Sequence, residues 1–297
     1  MSKVNGHMSN VNFVYFGSDE FSIRVLEELM KAEYSPALII TVPDQPKGRG
    51  LILTPPLIKS FATKCNIPVL QPFNLTDHSL LSQLSKVNCQ MFLVASYGKI
   101  IPKSVLDIPQ SGVLNVHPSL LPKFRGASPV QSAILNDEKS TGVTIMLMDE
   151  KMDHGGIVAQ KKVKIQDWPP KAEELEQTLA KEGGKLLAEI LPDWLTGKIT
   201  PLPQDESKAT YCRKFEKADG LIDLTENPYK NFLKIQAMGQ FPGTFFFASR
   251  NGKQVRVIIK TATFEKGKLK IKKVVPEGKR EMSYEDFLRA GAKPGIA

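Results

Sequence analysis

Short apolar runs alternate with helical patterns over the first 190 residues, and this alternation constrains the fold more than any other feature. Two of the runs, NFVYFG at 12–17 and ALIITV at 37–42, are apolar almost throughout, as strands buried on both faces are. The segment 18–31 between them has a helical pattern, with Asp19 and Glu20 in its first turn, where acids complement the helix dipole. Strands that alternate with helices predict a Rossmann-like α/β domain with a mostly parallel sheet.

The alternation continues along this part of the chain. Further strands are predicted at 68–71, 90–96, 112–116, 142–148 and 157–165, and further helices at 77–87, 128–136 and 171–195. The turn after the first strand, FGSDEF, holds one glycine, whereas a dinucleotide pyrophosphate needs several glycines for close backbone approach. We therefore expect no NAD, no FAD and no P-loop nucleotide.

The remainder of the chain has a different pattern. Residues 197–209, GKITPLPQDESKA, are polar and contain prolines, which is typical of a linker. Beyond them, β-rich patterns at 243–248, 254–261 and 268–275 are separated by charged turns. We expect an α/β domain over 1–192, a linker over 193–208 and a small OB-like β-barrel domain, shortened in its strand count, over 209–297.

The net positive charge of the chain comes from its C-terminal third. Residues 1–208 hold 22 basic and 22 acidic side chains, while residues 209–297 hold 18 basic and 9 acidic ones, which accounts for the whole net charge of +9. A solvated surface explains such a surplus, and so does a contact surface for a polyanion. The one-sided placement favours the polyanion.

Several protein classes are excluded by composition. No apolar run approaches the roughly 20 residues that span a bilayer, and the N-terminus lacks a signal-peptide pattern. The three cysteines, Cys65, Cys89 and Cys212, are scattered, so they predict neither disulfides nor a zinc site. We expect a cytoplasmic protein without a membrane anchor or a metal. The Gly-His-Met run at 6–8 suggests that residues 1–7 come from a cloning vector.

The segment LNVHPSLLPKFRGASP at 114–129 contains the strongest candidate for a reactive site. Alternate side chains of a strand face the same way, so Asn115 and His117 share a face and Val116 points opposite. Pro118 ends the strand and places the pair at its carboxyl end, where open α/β sheets bind their ligands. A lone histidine is usually structural, but the asparagine partner and the strand-end position favour a functional site.

A carboxylate for this site is available in the loop MDEKMDHGG at 148–156. A buried acid beside a histidine orients the imidazole and stabilises its charged form. Asp149, Glu150 and Asp153 all qualify by composition, and their spacing does not choose among them. His154 is expected to be a solvent-facing loop residue.

Several segments together resemble the folate-dependent formyltransferases, and within them the members that act on an aminoacyl-tRNA. These segments are FVYFGSDEFS, TVPDQPKGRG, VASYGKIIP, NVHPSLLPKFRGASPVQ, TGVTIMLMDEKMDHGG and ATYCRKFEKADGLIDL. The resemblance implies transfer of the formyl group of 10-formyltetrahydrofolate to the α-amino group of methionyl initiator tRNA. It also implies a monomeric cytoplasmic enzyme of translation initiation that binds the acceptor arm of that tRNA.

Residue roles follow from the resemblance position by position. It implies that Asn115, His117 and Asp153 form the catalytic set. The folate-binding residues that it implies are Ser119, Leu120, Leu121 and Pro122 in one turn, and Ser96, Tyr97 and Gly98 in another. The tRNA-binding residues expected from it and from the basic surplus are Lys47, Arg49, Lys268 and Lys270.

Three alternatives remain open at this point. A sugar or other small-molecule N-formyltransferase shares the Asn-His-Asp core, and a 10-formyltetrahydrofolate hydrolase replaces the amine with water. An RNA-binding module with an inactive sheet domain needs no such core. The basic loop at 43–50 and the C-terminal charge argue for the tRNA enzyme.

Overall fold

The computed structural model describes residues 11–48, 50–250 and 252–295. The vector-derived segment expected at 1–7 and the expected tRNA contact of Arg49 lie outside the described residues. The chain forms two compact units. The first contains residues up to 125, 142–163 and 176–210, and the second contains 126–141, 164–175 and the residues from 211 onward.

The strands and helices follow each other along the chain as the apolar pattern predicts. The strands are β1 (Phe13–Phe16), β2 (Leu38–Ile40), β3 (Gln45–Lys47), β4 (Ile52–Thr54), β5 (Val69–Leu70), β6 (Met91–Val94), β7 (Val113–His117), β8 (Arg125–Gly126), β9 (Thr141–Leu147), β10 (Ile157–Val163), β11 (Tyr211–Cys212), β12 (Phe245–Arg250), β13 (Lys253–Glu265), β14 (Lys268–Pro276), β15 (Met282–Ser283) and β16 (Lys293–Gly295). The helices are α1 (Glu20–Lys31), α2 (Leu57–Lys64), α3 (His78–Lys86), α4 (Lys103–Leu106), α5 (Pro129–Leu135), α6 (Ala172–Leu195), α7 (Pro228–Ala237) and α8 (Tyr284–Arg289).

The first unit is built on a seven-stranded sheet with the order β10-β9-β7-β6-β1-β2-β5. Neighbouring strands from β5 to β7 run parallel, and β9 pairs antiparallel with β7. The mostly parallel Rossmann-like sheet is therefore confirmed. Strand β1 is completely buried, as its unbroken apolar sequence predicts for the centre of such a sheet.

Helix α6 covers one face of this sheet at very short range. A Cβ atom on Gly183 would lie 2.6 Å from Cγ1 of Val116, and one on Gly184 would lie 2.7 Å from the carbonyl oxygen of Val25. Glycine therefore permits the approach of α6 to β7 and α1. Because Val116 faces α6, its neighbours on β7 face the other side of the sheet.

The second unit contains a five-stranded antiparallel sheet with the order β15-β14-β13-β12-β16. Its core includes the buried side chains of Phe246, Val257, Val274 and Phe287. The small β-rich C-terminal domain is therefore confirmed, while closure of this sheet into a barrel stays a prediction.

The compact units differ from the expected boundaries because two earlier segments pack with the C-terminal residues. The carboxylate of Asp137 accepts hydrogen bonds from Nε1 of Trp168 at 2.6 Å and from the hydroxyl of Tyr229 at 2.9 Å. The expected linker, 193–208, instead belongs to the first unit, where Leu202 pairs with Ile157. The boundaries 1–192 and 209–297 stay a prediction about independently folding domains.

Candidate active site

Strand β7 positions Asn115 and His117 near the middle of the sheet. Asn115 lies opposite Val94 of β6 on one side and Met146 of β9 on the other, and His117 lies opposite Thr144. His117 is buried with 4% of its surface exposed, whereas Asn115 is half-buried. Strand pairing on both sides of Asn115, and with β9 at His117, holds the backbone of the pair in place.

The imidazole of His117 lies between two acceptors. Its Nε2 atom is 3.0 Å from the carbonyl oxygen of Phe124, and its Nδ1 atom is 3.7 Å from Oδ2 of Asp153. A carbonyl oxygen only accepts hydrogen bonds, so Nε2 carries a proton and donates it. The Asp153 carboxylate lies on the opposite, Nδ1 side of the ring.

Of the three acids that the residue pattern left open, Asp153 is the one that the structure places beside His117. Its side chain is 16% exposed and is the one that lies beside His117. Asp149 instead accepts from Nδ1 of His154 at 2.6 Å, and Glu150 is exposed. His154, expected to face solvent, is one-third exposed and also lies 3.6 Å from Glu206.

Asp153 lies on a loop whose backbone is unusual. Its φ angle of +48° is in the left-handed region, which aspartate adopts more readily than most residues. A Cβ atom on Gly155 would overlap the carbonyl oxygen of Leu147, so the loop passes β9 at a distance that only glycine permits. Gln204 donates from Nε2 to the carbonyl oxygens of Asp153 and Gly155, each at 2.8 Å.

The turn from Ser119 to Pro122 is tied to the sheet. The Thr144 hydroxyl donates to the carbonyl oxygen of Ser119 at 2.7 Å and accepts from the amide of Leu121 at 3.1 Å. Gln160 donates to the same hydroxyl at 2.9 Å. The side chains of Ser119 and Leu121 are buried, while Leu120 and Pro122 are half-buried. The contact of this turn with folate stays a prediction.

Ser96, Tyr97 and Gly98 follow β6, next to the end of β7. Ser96 has a φ angle of +48°, and its hydroxyl donates to the carboxylate of Asp19. Burial raises the pKa of Asp19. Tyr97 is buried with its ring edge against Phe16, and burial raises its pKa to about 12, so its hydroxyl stays protonated at neutral pH. Only Ser96 and Gly98 are exposed in this segment.

The predicted tRNA-binding lysines are exposed in each unit. Lys47 ends strand β3, which forms a hairpin with β4 in the first unit. Within that unit, Asp44 at the base of the hairpin bonds Gln71 at 2.7 Å and Lys59 at 2.9 Å, and these bonds lower its pKa. In the second unit, Lys268 and Lys270 alternate with the half-buried Leu269 on β14, so the two lysines share its exposed face.

Three residues of the site were not found from the sequence: Arg125, Gln204 and Glu206. The side chain of Arg125 is fully buried and forms an ion pair with Glu206 at 2.6 Å. Gln204 and Glu206 lie in the segment interpreted as a linker, where polar residues and prolines give no sign of a buried partner. Only the contact of this segment with residues about 80 positions away reveals its role.

The arrangement suits a reaction in which charge develops on an oxygen and a proton leaves a nucleophile. The amide of Asn115 offers an N–H donor, and the imidazole and carboxylate offer a charge and a proton acceptor. Within the described ranges, no group of three or more His, Cys, Asp or Glu side chains is placed to hold a metal ion. No helix in the described part of the chain is long and apolar enough to cross a membrane.

Comparisons with known proteins identify the relatives of this chain. The model of the formyl transferase family matches residues 9–191. The chain is 36% identical to the methionyl-tRNA formyltransferase of Thermodesulfovibrio yellowstonii, covering 93% of this chain and 94% of that one. It is 41% identical to the methionyl-tRNA formyltransferase of Chloroflexus aurantiacus, covering 84% of this chain and 79% of that one.

Solved structures show the fold and do not separate its branches. The methionyl-tRNA formyltransferase from Clostridium thermocellum matches with a TM-score of 0.61 and 18% identity, covering 90% of this chain and 99% of that one. A sugar N-formyltransferase from Shewanella matches with the same TM-score and 17% identity, covering 82% and 95%. Sequence identity therefore carries the finer assignment: the chain belongs to the formyl transferase family, in the branch of the methionyl-tRNA formyltransferases.

Proposed function

We propose that this chain transfers the formyl group of 10-formyltetrahydrofolate to the α-amino group of methionyl-tRNA. The observation that carries the proposal is the placement of Asp153 3.7 Å from the buried His117, on the strand that also holds Asn115. The relatives named as methionyl-tRNA formyltransferases extend over nearly the whole chain, which supports the tRNA acceptor over a small molecule.

The chemistry assigns a separate task to each of the three side chains. When an amine attacks a formyl carbon, negative charge builds on the formyl oxygen, and the Asn115 amide donates to it. His117, whose ring lies between the Phe124 carbonyl oxygen and the Asp153 carboxylate, is proposed to add positive charge near that oxygen. The Asp153 carboxylate stabilises that charge and accepts the proton that leaves the amine, with His117 as its partner.

The folate substrate is proposed to bind at the adjacent strand ends. A solved relative of the fold is described in complex with tetrahydrofolic acid, and another with folinic acid. In this chain, the exposed Ser96 and Gly98 follow β6, which is paired with β7. With the pterin proposed to bind beside them, the formyl group on N10 of the folate is proposed to lie near Asn115 on β7.

The acceptor is proposed to be the initiator tRNA, held by its acceptor arm. The exposed Lys47 in the first unit and the lysine face of β14 in the second suit phosphate contacts, which set affinity and make it salt-dependent. We expect Lys268→Ala to raise the KM for methionyl-tRNA and to reduce the slope of log affinity against log salt by about 1. Lys181→Ala, an exposed lysine of α6, is the matched control, and an equal effect there argues against a specific contact.

An aminoacyl-tRNA acceptor also fixes where the reaction occurs. Charged tRNA is present in the compartment where translation starts, so the proposed location is the cytoplasm. The proposed catalytic set lies entirely in one copy of the chain, which is compatible with a monomeric enzyme.

The proposal is tested by a formylation assay with charged initiator tRNA and 10-formyltetrahydrofolate. Parallel reactions offer an amino sugar nucleotide as acceptor, or water alone. We expect formyl-methionyl-tRNA as the product, with little formylated sugar and little release of formate. Preferential formylation of the sugar, or release of formate without transfer, overturns the proposal in favour of the corresponding alternative enzyme. Absence of all three products overturns every enzymatic alternative.

A further inference from the structure

We propose that Gln204 is a positioning residue for the reaction, which sets the backbone of Asp153, and that Arg125 and Glu206 fix Gln204 in turn. This inference rests on the proposed formyl transfer and deepens it. It assigns a function to the segment 204–210, most of which lies in the linker that the sequence alone predicts at 193–208. All residues involved belong to the first compact unit.

The side-chain amide of Gln204 bridges two consecutive parts of the Asp153 loop. Its Nε2 atom donates to the carbonyl oxygen of Asp153 and to that of Gly155, both at 2.8 Å. Both bonds are made to the backbone directly after the Asp153 Cα atom, whose φ angle is left-handed, an uncommon conformation for a residue other than glycine. A conformation of this kind persists where its surroundings hold it, and the two bonds provide that restraint.

The orientation of the Gln204 amide is itself fixed from the opposite end. Its Oε1 atom accepts from Nε of Arg125 at 3.0 Å and from Nη2 at 2.9 Å. If the amide were flipped, its NH₂ group would face a guanidinium, which has no acceptor, and its oxygen would face two carbonyl oxygens. The Arg125 donors on one side and the two carbonyl acceptors on the other therefore permit only one orientation of the Gln204 amide.

Arg125 is held in turn by Glu206. Its Nη1 and Nη2 atoms donate to the two carboxylate oxygens of Glu206 at 3.0 and 2.6 Å, which is a bidentate pair. The Arg125 side chain is fully buried although the Glu206 side chain is 57% exposed. A planar guanidinium with five donors in a fixed fork suits this task, because it bonds an amide and a carboxylate at once.

The same segment also restrains the imidazole side of the site. The carbonyl oxygen of Phe124 accepts from Nε2 of His117, and Phe124 itself has a φ angle of +61°. Thr210 holds this backbone with two hydrogen bonds. Its hydroxyl accepts from the backbone amide of Phe124 at 2.8 Å, and its carbonyl oxygen accepts from the backbone amide of Arg125 at 2.9 Å. Residues 204–210 thus contact the supports of both His117 and Asp153, and they set the separation of the two side chains.

The decisive variant is Gln204→Glu. It keeps an oxygen that accepts from Arg125 and removes the N–H donor to the Asp153 loop. A glutamate still accepts from Arg125, but its second oxygen faces the carbonyl oxygens of Asp153 and Gly155 and repels them. We expect kcat for methionyl-tRNA formylation to fall by about 10- to 100-fold, since a displacement of about 1 Å costs up to about 10²-fold in rate. The KM for each substrate is expected to stay close to that of the wild type. The melting temperature, measured in parallel, separates the loss of kcat from a loss of folded protein.

Two further variants complete the test. Lys208→Ala removes an exposed ion pair with Asp205 in the same segment, and it is expected to leave kcat unchanged. If Gln204→Glu does not fold, Gln204→Met has a similar length and offers neither donor nor acceptor, and it is expected to lower kcat in the same way. A folded Gln204 variant with the kcat of the wild type overturns the inference.

A crystal structure of the Gln204→Glu variant tests the inference without any substrate. We expect the backbone of Asp153 to move and the distance between His117 Nδ1 and Asp153 Oδ2 to change from 3.7 Å. An unmoved Asp153 overturns the positioning role whatever the reaction is. Failure of the wild type to formylate methionyl-tRNA instead overturns the proposed function, so the two failures are distinguishable.

Discussion

His117 and Asp153 face each other across 3.7 Å, but the chain positions them in opposite ways. His117 is on a strand that is hydrogen-bonded on both sides, and it is almost fully buried. Asp153 is on a loop in a left-handed conformation, restrained by a glycine and by a side chain about 50 residues away. One half of the site is thus built by the sheet, and the other half depends on contacts from a distant segment.

This difference teaches where each half is sensitive to change. A paired strand holds its side chains in place without help from any single distant residue, so substitutions around it are expected to alter stability. A loop held by a few contacts moves when one of them is lost, so substitutions around it are expected to alter catalysis at nearly constant stability.

Asn115→Ala gives the largest expected effect and tests the strand half. Removal of one donor to a developing negative charge is expected to lower kcat by about 10²- to 10³-fold. The backbone of β7 stays paired, so folding and folate binding are expected to be retained. Single-turnover transfer and folate titration measure the two quantities, and near-normal transfer contradicts the assignment of Asn115.

Gly155→Ala is the corresponding change in the loop half. The added methyl group overlaps the carbonyl oxygen of Leu147, so the loop that carries Asp153 must shift. We expect kcat to fall by about 10²-fold, the cost of a displacement of about 1 Å. Gly295→Ala, where a Cβ atom has no neighbour within 4 Å, serves as the control in the same assay. Equal kcat values for the two variants would contradict the expectation that catalysis depends on the position of the Asp153 loop.

Thr144→Val is expected to change stability and not catalysis. The buried hydroxyl bonds Ser119, Leu121 and Gln160, and its loss leaves these buried polar groups without that partner. Urea denaturation is expected to show a loss of about 1–3 kcal/mol. Thr63→Val, which removes an exposed hydroxyl bonded to the Lys59 carbonyl, is the control. A loss of kcat larger than the loss of folded protein would show that the strand half is also sensitive.

Glu206→Gln has the smallest expected effect, and its signature is a dependence on pH. Arg125 holds the pKa of Glu206 below its usual value of 4.5, with smaller contributions from His154 and Lys151. The stability that the ionised carboxylate contributes is therefore present above pH 4.5 and is lost as the pH falls through the lower folded-state pKa. Melting temperatures are expected to differ between wild type and variant at pH 7 and to converge at acidic pH. A difference that stays constant with pH excludes the ion pair as its cause.

The prediction from sequence was most reliable where structure is local. The strands and helices predicted for residues 12–195 are confirmed, because uninterrupted apolar runs and helical periodicity are properties of neighbouring residues. The shared face of Asn115 and His117 follows from strand alternation alone, and it is observed on β7. The hairpin formed by β3 and β4 was missed, because its exposed residues have no apolar alternation towards a core.

The acid of the site shows where sequence reasoning ended. Asp149, Glu150 and Asp153 have the same chemistry within five positions, and only the path of the loop decides which one reaches His117. That path depends on the approach of Gly155 to β9 and on the bonds from Gln204, neither of which has a local signal.

By itself, the sequence determined the alternating sheet domain, the basic β-rich C-terminal part and the strand that carries Asn115 and His117, since each depends on periodicity or composition. Of the three acids that the residue pattern left open, the tertiary structure places Asp153, the one implied by the resemblance, beside His117. It also gives the buried Arg125 its partners Gln204 and Glu206. The physical reason is that a hydrogen bond between residues 80 positions apart depends on the folded path of both segments, while a strand pattern depends on its own residues.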